Sequence, residues 1–85
     1  MAIVKNYQST IFMVINMIIY NPFWETMKRC GKNTYQLINK YGISSATIDR
    51  IRKGKGISTQ KVDDLCKIFQ CNVEDIIKFV DDENS

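Results

Sequence analysis

From Pro22 to Val80 the apolar positions recur three and four residues apart, and glycine, proline and capping residues cut them into short runs, a rhythm that predicts helices. Asn21-Pro22 reads as an N-cap followed by a proline at the first helical position. It opens a first helix to about Cys30 that offers Phe23, Trp24 and Met27 to a core before Gly31 stops it. Asn33 caps a short second helix, and Gln36 three residues on completes a capping box. Leu37, Ile38 and Tyr41 form its apolar side, and Gly42 ends it. Ser44, Ser58 and Asn72 open a third, fourth and fifth helix. Each follows an apolar residue (Ile43, Ile57, Cys71) placed to staple onto the next turn (Ile48, Val62, Ile76). Val62, Leu65, Cys66 and Phe69 keep the spacing of one helical face, as do Val73, Ile76, Ile77 and Val80. The expected fold class is all-α, five short helices over residues 21–80 with an acidic tail at 81–85. Its core gathers Trp24, Leu37, Ile48, Ile51, Leu65, Phe69 and Ile76.

Residues 1–20 follow a different pattern. Between Ile11 and Ile19 apolar side chains fill both alternating faces and β-branched residues are frequent, which favours a β-strand. Lys5 ahead of the run from Ile11 to Tyr20 suggests a signal peptide at first sight. No small-residue cleavage site follows, however, and a run interrupted by Asn16 falls far short of the roughly 20 residues that span a bilayer, so no membrane partner is expected. So much apolar surface requires cover. Either a second copy supplies it, making the N-terminal extension a dimerisation strand, or the segment folds back to pair near Phe79-Val80.

The length of 85 residues fits one small domain, and the 45% hydrophobic and 25% charged shares argue against global disorder without selecting a class. Charge by region is more telling. Residues 32–61 hold seven cations against Asp49 alone, a local +6, whereas residues 62–85 hold two cations and seven anions, a local −5. The three cysteines, Cys30, Cys66 and Cys71, form no C-x-x-C pair, and the chain lacks histidine. A disulfide framework and a metal site are both unexpected, and the cysteines read as small packing hydrophobes in a protein of the reducing cytoplasm. General acid–base machinery is equally hard to assemble: there is no histidine and no glycine-rich phosphate loop, and the nearest cysteine–base grouping is Lys28-Arg29-Cys30. No enzyme activity, cofactor or small-molecule ligand is expected.

The basic region contains the stretch GISSATIDRIRKGKGIS. Tyr41-Gly42-Ile43-Ser44 is a tight turn joining the second and third helices, a helix-turn-helix arrangement. Ile48 and Ile51 anchor the third helix, which leaves Ser45, Ala46, Asp49 and Arg50 on its outer face as candidates to contact base edges in a major groove. Arg52, Lys53 and Lys55 follow within reach of phosphates, and Ser44 and Thr47 lie at the helix start, where backbone N–H groups favour anions. Asp49 faces Lys53 one turn on, so local pairing competes with acceptance of a cytosine amino group.

The segment NTYQLINKYGISSATIDRIRKGKGISTQKVDDLCKIF resembles the Cro/CI-like (Xre-like) helix-turn-helix domains. The likeness extends to NPFWETMKRCG before it and NVEDIIKFV after it, about 60 of the 85 residues. The resemblance implies a compact five-helix domain, often dimeric on double-stranded DNA, that represses transcription. It carries the base-facing role to Ser45, Ala46, Asp49 and Arg50 and a phosphate contact to Thr34 and Lys53. Two positions depart from the pattern, Thr34 where glutamine is common and Ile38 where a small alanine is common, and residues 1–16 have no counterpart. A homodimer on DNA is therefore the expected assembly. The competing expectation is an interaction module or inhibitor that uses the same fold to bind an acidic protein partner or RNA.

Overall fold

The computed structural model of the chain describes residues 17–81. They form a strand β1 (Met17–Ile19), four helices, α1 (Asn21–Arg29), α2 (Thr34–Asn39), α3 (Ser45–Arg52) and α4 (Thr59–Phe69), a single 3₁₀ turn (Val73–Asp75) and a strand β2 (Lys78–Val80). The two strands pair antiparallel, with Met17 opposite Val80, Ile18 opposite Phe79 and Ile19 opposite Lys78.

Three of the helix starts follow directly from the capping residues. Asn33 Oδ1 accepts from the Gln36 N–H at 2.9 Å while Gln36 Oε1 accepts from the Asn33 N–H at 2.9 Å, a complete capping box. Ser44 Oγ accepts from the Thr47 N–H at 3.1 Å, and Ser58 Oγ from the Lys61 N–H at 3.2 Å. At α1 the expectation shifts by one residue. Tyr20 is the cap, Asn21 is already helical, and no side chain caps the first turn. Here the carbonyl of Tyr20 receives the Phe23 N–H at 2.9 Å.

The expected all-α, five-helix architecture is corrected to four helices among the described residues plus a small sheet. Asn72 does start a turn, its N–H donating to Asp75 Oδ2 at 3.1 Å, but the turn does not propagate. Of the four residues that suggested an apolar helical face, only Ile76 is buried, at 0% exposure, while Val73 is 52% exposed. A helix of two turns is marginal by itself. The β-branched Ile76, Ile77 and Val80 pack well on a pleated surface, and β1 supplies the partner that makes a strand of Lys78–Val80.

The core joins all four helices. Phe23, Leu37, Ile48, Ile51, Leu65 and Ile76 are buried, with Tyr20, Met27, Ile43, Val62 and Phe69 around them. The Phe23 ring meets Trp24 and Phe69 edge-on, at centroid distances of 4.8 and 6.1 Å. Trp24, expected in the core, is only partly buried, and Phe23 takes the central place. Thr26 is a buried polar residue, and its hydroxyl donates to the Asp75 carbonyl at 2.8 Å, tying α1 to the 3₁₀ turn. Residues 17–20 thus fold back on their own domain near Phe79-Val80. The rest of the apolar N-terminal extension, residues 1–16, lies outside the described residues.

A candidate nucleic-acid interface

The outer face of α3 is built by alternation around two anchors. Ile48 and Ile51 are buried at 1% and 2% exposure, and Ser45, Ala46, Asp49, Arg50, Arg52 and Lys53 are all exposed. The four residues expected to face bases therefore share one exposed side of the helix. Between α2 and α3, Gly42 adopts φ 76°, a left-handed conformation that glycine takes without a Cβ penalty. This turn lets Ile43 fold inward, where its N–H donates to the Leu37 carbonyl at 2.9 Å.

At the start of α3 the Ser44 side chain occupies the Thr47 N–H, while those of Ser45 and Ala46, in the first helical turn, lie outside the helical ladder and can meet an anion. Thr47 is placed differently from its expected phosphate role. Its side chain is 6% exposed, and its hydroxyl lies 2.9 Å from Ser44 Oγ, so it braces the cap.

At the other end the chain turns through a glycine cap. Gly54 sits at φ 72°, its N–H donates to the Ile51 carbonyl at 3.1 Å, and the Lys55 N–H donates to the Arg50 carbonyl at 2.8 Å. The turn presents Lys53 and Lys55 on an exposed loop directly after the helix. Two further bonds shape this loop. Arg50 Nε donates to the Gly56 carbonyl at 2.6 Å, and the Tyr20 hydroxyl donates to the Lys55 carbonyl at 2.7 Å. Burial raises the Tyr20 phenol above its usual range, while a backbone hydrogen bond at Ile57 and the Arg50 charge pull it partly back.

Asp49 is paired within the helix, its Oδ2 3.0 Å from Lys53 Nζ, the local arrangement of the two anticipated. Arg52 Nη2 donates to Thr34 Oγ1 at 3.4 Å, and the guanidinium lies 6.0 Å from the Trp24 ring centre. Thr34 and Arg52, candidate phosphate contacts from two different helices, are thereby brought side by side.

The sequence reading missed Tyr20 and Trp24 as supports of this surface. A tyrosine between a strand and an Asn-Pro helix start carries no local signal that its hydroxyl reaches a carbonyl 35 residues away. Among the described residues no group of cysteines, histidines and carboxylates is arranged to hold a metal ion, and no helix is long and apolar enough to cross a membrane.

The crystal structure of the transcriptional regulator VanUg has a similar fold, with a TM-score of 0.68 at 20% sequence identity, covering 80% of this chain and 91% of that one. No curated protein matches the sequence. Residues 23–82 match the family model of the Cro/C1-type helix-turn-helix DNA-binding domain. That span runs from the third residue of α1 through β2 and includes the whole exposed α3 face, and the chain belongs to the Cro/C1-type helix-turn-helix DNA-binding family.

Proposed function

We propose that the protein is a sequence-specific double-stranded DNA-binding transcriptional regulator, a repressor, which reads the major groove with α3 and works as a homodimer. The observation that carries this reading is the single exposed face of α3, with Ser45, Ala46, Asp49 and Arg50 clear of the core and a basic loop directly behind them. Small side chains at the N-terminal end permit close approach to base edges, and Arg50 is the residue able to bond both O6 and N7 of a guanine. Ser44, Thr34, Arg52, Lys53 and Lys55 surround that face as phosphate contacts that position without specifying. The similarity to a transcriptional regulator agrees with this role. The homodimer is supported by the outer side of the β1–β2 ribbon, where Ile18 and Phe79 form a cross-strand pair exposed by 48% and 61%. Repression follows from occupancy, since DNA covered by a pair of such domains is closed to other proteins.

Selection of bound fragments from a random duplex library tests the proposal. The expected result is a two-fold symmetric consensus whose half-sites lie about one helical turn, roughly 34 Å, apart. Failure to enrich any sequence, together with salt-resistant binding to an acidic protein or to RNA, would favour the interaction-module alternative.

A further inference from the structure

The C-terminal cap of α4 brings two thiols together. Gln70 takes a left-handed conformation, φ 55° and ψ 54°, and the N–H of Cys71 turns back to donate to the Cys66 carbonyl at 3.0 Å. In this form of helix ending, the side chain four positions before the left-handed residue meets the one directly after it, usually as an apolar contact. Here both side chains are cysteines, and the backbone bond from Cys71 to Cys66 sets them beside one another at the helix end. Both are half-buried against the core. Both also open on one cavity of about 460 Å³, walled by Val62, Val73 and Ile77, through which a small reagent reaches them.

We propose that Cys66 and Cys71 form a dithiol modification site, which small-molecule disulfides convert to an intramolecular disulfide across the α4 cap. The thiolate of one cysteine attacks a sulfur of the reagent and releases its other half as a thiol. The second cysteine then attacks the mixed disulfide and expels the remaining half. Two S–H bonds are lost and one S–S bond forms, and the two electrons and two protons leave with the two reagent thiols. The left-handed turn at Gln70 that brings the Cys71 backbone back to Cys66 is already in place. Cys30 is exposed beyond the end of α1 and does not share the cavity.

The surroundings give the reaction a pH signature. Burial raises both thiols, and together with the neighbouring Cys66 and Asp75 and, more weakly, Cys30, it pushes Cys71 up to about 11. Asp63 on the same helix and Asp75 and Glu74 on the 3₁₀ turn act likewise on Cys66. Since the thiolate is the nucleophile, closure is slow at neutral pH and quickens about tenfold for each unit of rising pH below the thiol's own range.

The test treats the full-length protein with glutathione disulfide across this pH range and reads it by intact mass and peptide mapping. In Cys30→Ser, which lacks the exposed thiol that would itself take up a glutathione, the expected product is lighter by about 2 Da. Cleavage after Lys67 should leave the peptides carrying Cys66 and Cys71 joined. Cys30→Ser should leave that Cys66–Cys71 linkage unchanged, while Cys66→Ser and Cys71→Ser should each stop at a glutathione adduct on the remaining partner. Stable adducts on both Cys66 and Cys71 of the unsubstituted protein, with no loss of mass to a closed ring, would overturn the proposal. So would a bond that joins either cysteine to Cys30.

Discussion

Arg50 has one of its N–H groups engaged by the Gly56 carbonyl, and the guanidinium fork keeps further donors for a guanine edge. Arg50→Ala should weaken binding to the preferred duplex by about 1–3 kcal/mol and relax preference at one base position, as read by competition against single-base variants. Equal loss on every sequence would assign Arg50 to phosphate alone. Tyr20 acts at a distance, holding the basic loop through Lys55, and Tyr20→Phe should remove about 1 kcal/mol of folding stability. The sign of its pH dependence follows from the raised phenol. Above the ordinary value of 10.0 the unfolded chain gives up this proton while the folded chain keeps it, so the Tyr20 contribution to stability is constant below about pH 10 and falls as pH rises further. Chemical denaturation at a series of alkaline pH values should show that fall in the unsubstituted protein and a shallower one in Tyr20→Phe. At this scale the exposed α3 face and the Asp49–Lys53 pair were legible, because helical periodicity fixes neighbours three and four apart. The Arg52–Trp24 and Tyr20–Lys55 contacts were not, since they join residues whose proximity exists only after the helices pack.

Among the elements, those with a side-chain stop or start were readable from the chain. The capping box of α2 shows why: Asn33 and Gln36 satisfy each other's backbone N–H groups locally, whatever the rest of the fold does. Asn33→Ala should cost about 1 kcal/mol and lower the melting midpoint by roughly 4–8 °C, measurable by circular dichroism, without changing sequence preference on DNA. The segment after Asn72 was misread because its apolar spacing suits a helix, whereas its fate depends on a partner strand some sixty residues earlier in the chain. The two alternatives for the N-terminal segment were likewise distinguishable only in three dimensions. Pairing of Met17–Ile19 with Lys78–Val80 realises the folded-back alternative over those residues.

At the level of the whole molecule, the strand β1 lies beside Arg52 and Gly54 at the end of α3. Exposed cations lie on α3 and its following loop, and the β1–β2 ribbon presents Ile18 and Phe79 to solvent. If that ribbon is the contact between two copies, replacing both residues by serine should convert a dimer to a monomer by light scattering while leaving the helical circular dichroism intact. It should also weaken binding to a two-half-site duplex far more than to a single half-site, by loss of the linked second contact. An unchanged mass would remove the ribbon from the interface. The central claim, that α3 reads sequence against an electrostatic background set by the basic loop, is tested most directly by fluorescence anisotropy. A selected duplex and a scrambled duplex of the same length would be titrated at several salt concentrations. The account predicts that the logarithm of each affinity falls linearly with the logarithm of salt, and that the selected duplex stays about a thousandfold or more tighter throughout. Equal affinities for the two duplexes at every salt concentration would contradict it.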